Sequence, residues 1–375
     1  MKIAYVLVEE LHPGLQNKIY GQTKAWEVAG HDVVFVSHKT GRVFLRNGEN
    51  LMVDPVLSGR DHGVLVHRNR LARLNLLKKQ YSFLKEALET LKPDVSYGRY
   101  PFPYWGIRDA YGAGQPVVFE INTNDLTEYY LKHRTTGIYN RLLRKAVLGK
   151  AAGLVFVTRE LASAKAFRWY TGARLVMGNG VDVSVFPFVE ETRNLQPNLC
   201  FIGSQNQKWH GLEKAGLIAE ALPGCQVHII GPTLEQYVAL GARVVANLTF
   251  HGYLDDQEAK ALVANMDVSI STLSLYEKSM FEACPLKARQ YLAHGIPFLG
   301  GYEDTDIAEM PFYLQLPNTP DNVAGSLEAI REFVNRAFGN RELRVKARHF
   351  AEKILDVRQK EALRLDFLAK IAGHA

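Results

Sequence analysis

Short apolar runs alternate with helix-length amphipathic stretches along almost the whole chain, and this rhythm starts afresh at Leu199. In the first half the predicted strands are 3–8, 33–37, 64–67, 95–97, 117–121 and 154–157; in the second they are 199–202, 226–230, 248–251, 268–271 and 298–300. Between them lie predicted helices at 15–29, 71–91, 136–152, 212–221, 257–264 and 285–293. Strands that are apolar nearly throughout, each followed by a helix, argue for parallel sheets covered on both faces. The restart follows the polar stretch 190–197, so the expected fold class is α/β with two doubly wound Rossmann-like domains facing across a cleft. A last helical stretch, 341–372, runs beyond the second sheet; it is either a plain terminal helix or one that crosses back to brace the first domain.

The length of 375 residues suits two domains, and 47% hydrophobic with 22% charged residues is ordinary globular composition, which excludes disorder and collagen. No apolar run reaches the ~18–20 residues that span a bilayer. The N-terminal apolar run is short and ends at Glu9 and Glu10, so it reads as a first buried strand rather than a signal peptide. Cys200, Cys225 and Cys284 are odd in number and in no metal-ligand spacing, pointing to a reducing cytoplasm without structural zinc. Charge is unevenly divided: residues 1–190 carry 26 basic and 17 acidic side chains, residues 191–375 carry 19 and 22. A basic first half fits nucleic acid, anionic lipid or a phosphorylated substrate. No nucleic-acid-binding motif accompanies it, so nucleic acid is not expected.

Ligands of such sheets bind beyond the carboxyl ends of the strands, so the loops there are the candidate sites. His12-Pro13-Gly14 follows the first strand and opens a helix, where a backbone amide at Gly14 can approach a phosphate or sugar, though a tight turn is the plainer reading. Asn179-Gly180-Val181-Asp182 is a turn at the hinge between domains. Gly203-Ser204, a polar loop and then Lys208-Trp209-His210-Gly211 precede a helix, so backbone amides with Lys208 and His210 can meet a diphosphate. The richest stretch runs from Tyr276 to Pro297. Pro285 suits a first helical turn and Gly295 the stop. Lys287 then lies where the helix dipole disfavours a cation unless a phosphate compensates it, with Gln290 on the same face. Glu282, in the loop before, can accept from ligand hydroxyls. Asp255-Asp256 reads as a helix cap, and Glu303–Asp306 as an acidic surface loop rather than a cation site. Dinucleotide, Walker, zincin and serine-hydrolase signatures are missing from the sequence.

Taken in order, these segments resemble the retaining glycosyltransferases of the GT-B fold, glycosyltransferase family 4. Phe201-Ile202-Gly203-Ser204 and Trp209-His210-Gly211 are similar to the start of that family's donor domain. Asn179-Gly180-Val181-Asp182 with Phe186 resembles its N-G-V-D…F signature, and Ile230-Gly231-Pro232 its V-G-x-G-P turn. Phe250-His251-Gly252-Tyr253, Met266-Asp267-Val268, Gly30-His31-Asp32-Val33 and Glu120-Ile121-Asn122 are similar to further segments of it. The stretch from Pro285 to Pro297 resembles P-x-K-x-x-E-Y-L-A-x-G-x-P.

The resemblance implies transfer of a sugar from a nucleotide-sugar donor to an acceptor hydroxyl with retention, in cell-surface polysaccharide or glycolipid biosynthesis, with no cofactor and no metal. It implies catalytic roles for Glu282, Lys287 and Asn122. It implies donor contacts at Gly14, Asn179, Gly203, Ser204, Lys208, His210, Gly231, Pro232, Pro285, Leu286 and Gln290. It also implies domains at 1–185 (acceptor) and 186–345 (donor), with 346–375 crossing back to the first. The chain departs from the family's pattern where Gln290 replaces the second Glu of E-x7-E, and where Ser204 and His210 replace an Arg and a Lys. These departures leave open a non-catalytic nucleotide-sugar or glycan-binding protein; a sugar-nucleotide epimerase is a third reading. Basic residues Arg68, Arg70, Arg73, Lys78 and Lys79 cluster around one helix of the first half, and Arg141 and Arg144 lie in another. They are expected to face an anionic membrane surface or solvent, with the glycan or lipid-linked acceptor arriving from the inner face of the cytoplasmic membrane.

Overall fold

The computed structural model describes every residue except Glu9, Glu10, His12, 60–69, Trp105, Gly112, Ala113, Gln205, Asn206 and Ala375, and omits the side chains of Arg70, Leu71, Arg73 and Lys132. The chain forms two compact units. The first comprises Met1–Leu11, Thr23–Met177 and Glu361–Ala375; the second comprises His12–Gln22 and Gly178–Lys360. The chain thus changes unit after Leu11, Gln22, Met177 and Lys360; the sequence suggested boundaries at 185/186 and 345/346.

In the first unit β1 (Lys2–Leu7), β2 (Asp32–Ser37), β3 (Arg42–Phe44), β4 (Asn50–Val53), β5 (Val95–Arg99), β6 (Val117–Ile121), β7 (Gly153–Phe156) and β8 (Ala173–Val176) form one sheet in the order β4-β3-β2-β1-β5-β6-β7-β8. From β2 to β8 the strands run parallel, and β3 and β4 add an antiparallel edge. The inner strands are buried on both faces, which is why they read as continuous apolar runs. Strands β3 and β4 escape the sequence reading because they are short and largely exposed. The turn Asn47-Gly48, with Gly48 at φ +86°, was their local signal. The expected strand 64–67 lies outside the described residues.

The C-terminal residues complete this unit's core. Trp26, Tyr97 and Tyr5 pack ring to ring beneath helix Val357–Ala372, and the indole Nε1 of Trp26 donates to Glu361 (2.8 Å). Arg364 lies buried between Glu361 (2.8 Å), Glu120 (3.3 Å) and the Tyr97 hydroxyl. Phe367 and Ile371 press on Gly153, where a Cβ would come within 2.8 and 2.4 Å of them.

In the second unit β9 (Asn198–Ile202), β10 (Gln226–Ile230), β11 (Leu248–Gly252), β12 (Val268–Ile270), β14 (Phe298–Gly300) and β16 (Tyr313–Gln315) form a wholly parallel sheet in the order β11-β10-β9-β12-β14-β16. Between them β13 (Glu282–Ala283) and β15 (Glu303–Asp304) pair separately. The order reverses between β9 and β12, the topological switch point at which such sheets receive ligands. The single helix expected over 341–372 is interrupted. A helix Arg341–Phe350 passes into a π-helical turn, Ala351–Leu355, and Asp356 then breaks the run with extended backbone (ψ 136°). The buried Asp356 carboxylate accepts from the amides of Arg358 (2.9 Å) and Val183 (3.4 Å), so it caps the following helix.

Candidate functional site

At the switch point of the second unit, β9 ends at Ile202 and the chain turns through Gly203 and Ser204. Gly203 passes so close to Gly231 that a Cβ on the latter would lie 2.1 Å from the Gly203 carbonyl oxygen, and Gly231 itself sits at φ +99°. Only glycine fits there. Pro232 is buried against Gly203 on the other side. Gly203, Gly231 and Pro232 therefore bring two loops together at the carboxyl edge of β9 and β10.

Beyond Gly203 the Ser204 amide donates to Nδ1 of His210 (3.2 Å). The turn carrying Trp209 and His210 docks on the segment after β12: the amides of Leu273 and Ser274 donate to the carbonyls of His210 (3.2 Å) and Trp209 (3.1 Å). Gly211, at φ +74°, opens the helix Leu212–Ala221. The buried Lys214 fastens that helix to Leu273 O (3.2 Å), Thr319 O (3.0 Å) and Asn322 Oδ1 (2.8 Å). Burial, with Lys287 and Lys278 close by, drives the imidazole of His210 down to about 2. His210 is thus neutral at any physiological pH, and with Nδ1 accepting, its proton is on Nε2. Lys208 is exposed.

Pro285 occupies the cap position of helix Leu286–Ala293 rather than its first turn, and Gly295, at φ +73°, follows its end. Lys287 is buried in the first turn; its Nζ donates to Ile202 O (3.0 Å) and lies over the Phe201 ring at 4.8 Å. The carbonyl at the end of β9 thus supplies part of the compensation the dipole argument demanded. Burial still pushes the ammonium down to about 7. Gln290 is half-exposed one turn on, and Glu282 is buried on β13.

Asn179 is held by Cys284, its amide 2.8 Å from Sγ and its Nδ2 donating to the Cys284 carbonyl at 2.6 Å. Its neighbour Gly178 leaves room for Asp306, whose Oδ2 would be 2.2 Å from a Cβ at 178. The segment 303–306 is not the acidic surface loop expected. Arg289 binds both Asp304 and Asp306, and Lys360 binds Asp306 (2.7 Å), all buried or nearly so. Sequence spacing gave no hint of this cluster, because its members are joined only by the folding of three separate segments. Ser274 and Lys278, beside His210 and Trp209, were missed for the same reason.

The remaining candidates stand on other elements. Gly14 is the second residue of helix Pro13–Val28. Asn122 follows β6 in the first unit, with Nδ2 3.4 Å from the Glu120 carbonyl. Arg144 was expected on a membrane-facing surface, and that is corrected: it is buried, bidentate to Asp125 (2.7 and 2.8 Å), and donates to Ala166 O (2.7 Å). An arginine on the inward side of an amphipathic helix is drawn in by a carboxylate that periodicity cannot locate. Arg141 and Lys78 are exposed, and Lys79 lies 3.4 Å from Asp54. Arg68 lies outside the described residues, as do the side chains of Arg70 and Arg73.

Two Rossmann-like units, the second with its loops gathered at the switch point, have the architecture of the GT-B fold. Solved structures share that fold over the whole chain. Sucrose-phosphate synthase from Thermosynechococcus elongatus superposes with a TM-score of 0.74 at 15% identity, covering 100% of both chains. Anabaena HepE in complex with UDP-glucose does so with 0.62 at 13% identity, over 99% of this chain and 100% of that one. Residues 14–185, a little under half of the chain, match the model of Glycosyltransferase Family 4. A phosphatidyl-myo-inositol mannosyltransferase from Propionibacterium freudenreichii subsp. shermanii is 26% identical over 269 residues, 69% of this chain; the match spans 66% of that relative's length. The chain is thus similar to glycosyltransferase family 4 over residues 14–185 and shares the GT-B fold over its whole length.

Proposed function

We propose that this protein is a retaining glycosyltransferase that takes a sugar from a nucleotide-sugar and passes it to an acceptor hydroxyl in glycolipid or cell-surface polysaccharide synthesis. The observation that carries this reading is the grouping of the Lys287 ammonium, the Nε2–H of His210 and the start of helix Leu286–Ala293 around the carboxyl end of β9. In the transfer the bond from the anomeric carbon to the diphosphate oxygen breaks and the bond to the acceptor oxygen forms. The acceptor proton passes to the departing diphosphate, so no protein nucleophile is required. Lys287, the neutral imidazole donor and the helix amides hold the charge that develops on the leaving group. They do so without calling on a metal. Glu282 accepts from hydroxyls of the donor sugar, and Gln290 from or to the ribose. Asn179, Pro285 and Leu286 shape the wall beside them, and Asn122 serves the acceptor side. The UDP-glucose bound to Anabaena HepE supports a nucleoside-diphosphate sugar as donor, and the lipid acceptor named for the mannosyltransferase supports a glycolipid product.

Incubation of purified protein with UDP-, GDP- and dTDP-sugars tests this. Consumption of one donor is expected, and Glu282→Ala is expected to lower turnover by orders of magnitude. If no donor is consumed and none raises Tm, the reading fails. The neutrality of His210 favours one second reading, a nucleotide-sugar-binding protein with weakened leaving-group chemistry. Donor binding without turnover across several acceptors distinguishes it.

A peripheral position on the inner face of the cytoplasmic membrane is part of the same proposal. Helix Arg134–Leu148 exposes Arg134, Ile138, Arg141, Leu142 and Lys145 on one side, and Tyr130 and Leu131 are exposed just before it. Basic and apolar side chains on one face suit an anionic lipid surface, at about 1 kcal/mol per basic residue. Among the described residues no helix is long and apolar enough to cross a membrane.

A further inference from the structure

The segment between β12 and β13 folds through a tight helical turn, Leu275–Lys278, into Ser279, which holds the left-handed conformation at φ +51° without being a glycine. A residue keeps that costly conformation where its surroundings over-determine it, and such positions gather at functional sites. Here the surroundings are specific. Asn318 grips both ends of the turn: its Oδ1 accepts from the Tyr276 amide (2.9 Å) and its Nδ2 donates to the Met280 carbonyl (2.8 Å). The Lys214 ammonium lies 4.7 Å from the centroid of the Tyr276 ring. The Leu273 and Ser274 amides tie the start of the segment to the carbonyls of His210 and Trp209.

What this turn holds out is Lys278. Its Nζ lies 4.5 Å from the centroid of the Trp209 ring, and the His210 ring meets that indole edge-on at 6.1 Å. Lys287 and Lys278 both act on His210, each disfavouring a proton there, and no carboxylate among the described residues acts on it with them. The neighbouring Glu277 acts on Lys214 instead. The Ser274 hydroxyl, 2.9 Å from where a Cβ on Gly211 would lie, is buried and has no hydrogen-bond partner among the described residues. Two ammoniums, a neutral imidazole donor and a spare hydroxyl thus come together from three segments. An anion with several oxygens balances that excess of charge and of hydrogen-bonding capacity. Lys208, the cation expected here from the sequence, is exposed and is not among the charges acting on His210.

We propose that Lys278 is a second ammonium for the diphosphate of the donor, set in place by Asn318 and by the face of Trp209. This rests on the transferase reading above and adds to it a residue from a different loop. As the bond from the anomeric carbon to the diphosphate oxygen breaks, its electron pair stays with that oxygen. Lys287 meets the growing charge from the start of its helix, and Lys278 meets it from the turn. An ammonium resting on an indole face has given up part of its water shell while keeping its charge, so it is ready for an anion before one arrives. Asn318 and Trp209 are positioning residues, which act through Lys278.

Calorimetric titration of the full chain with UDP, GDP and dTDP tests this without turnover. Lys278→Met is expected to weaken whichever diphosphate binds by about tenfold or more, and Lys278→Arg to stay within about threefold of wild type. Binding of the corresponding nucleoside, read by saturation-transfer NMR, should be the same in both variants as in wild type. Because Lys278 is half-exposed, Tm should also be unchanged. Lys208→Met should lose less than Lys278→Met. Asn318→Ala is expected to weaken the diphosphate about fivefold alone and to add nothing in the Lys278→Met background, a coupling that a merely structural role would not produce. Diphosphate affinity unchanged in Lys278→Met, equal losses of nucleoside and diphosphate, or fully additive losses in the double variant overturn the assignment. If a diphosphate binds but no donor is consumed, the transferase reading fails and the Lys278 assignment stands on the binding data. If Lys278→Met binds and turns over donor like wild type, the assignment fails alone. Binding of none of the three diphosphates overturns both.

Discussion

The Ser204 amide donates to Nδ1 of His210 at 3.2 Å, and that one contact decides what His210 can offer a ligand. With Nδ1 occupied as an acceptor and burial driving the imidazole down to about 2, His210 presents a neutral Nε2–H in the free protein. Replacing His210 by Ala is expected to lower turnover about a hundredfold by removing a donor to the leaving group. His210→Gln, which keeps a neutral donor, should lose less. Activity profiles between pH 5 and 7 should have the same shape in wild type and His210→Gln, measured as kcat/KM; a limb that disappears in the variant would refute the neutral assignment.

Lys287 titrates where His210 does not. Its ammonium sits at about 7 in the free protein, and a bound diphosphate favours the protonated form. UDP affinity should therefore be nearly constant below pH 7 and weaken by roughly tenfold per unit above it, until the ammonium pKa of the complex is reached. Calorimetric titration from pH 6 to 9 checks this, and Lys287→Met should abolish the slope. Because this lysine's folded value lies below its unfolded one, the unfolded chain binds the extra proton between pH 7 and about 10. Fold stability contributed at this site therefore rises with pH across that window, and Tm of the wild type should gain on Lys287→Met as pH increases.

Arg364 is buried with Glu120 and Glu361, and its removal strands two carboxylates in the core of the first unit. Arg364→Ala is expected to cost about 3–5 kcal/mol. The exposed pair Arg243–Glu220 offers the contrast, since Arg243→Ala should cost no more than about 1 kcal/mol. Denaturant unfolding of the two variants, side by side, measures both.

Arg141 and Arg144 sit three residues apart on one helix with opposite fates. Arg144→Ala should destabilise the first unit by about 3–5 kcal/mol, through the abandoned Asp125. Arg141→Ala should leave Tm unchanged and weaken co-sedimentation with phosphatidylglycerol vesicles, more so at low salt. Vesicle binding indifferent to anionic lipid and to salt would remove the membrane-facing role.

Much of the fold was legible in the residues. Continuous apolar runs such as those of β1 and β6 mark parallel strands, and helix Leu212–Ala221 falls where its periodicity places it. Asp255 caps its helix as read, with Glu258 completing the capping box. The short edge pieces β3, β4, β13 and β15 were not legible, because two to four residues carry too little pattern. The break at Asp356 was missed because a buried carboxylate bonded to Val183, far away in sequence, stabilises it.

Local order thus followed from the sequence by itself. Side-chain periodicity and the backbone freedom of Gly211, Gly231 and Gly295 act within a few residues, so strands, turns and motif order can be read without the fold. The fate of each charge was decided only in three dimensions. Lys287 lost most of its preference for a proton, His210 became a fixed neutral donor, and Arg144, Asp304 and Asp306 went inside. Each outcome depends on desolvation and on partners brought in from distant segments, and no stretch of sequence contains either.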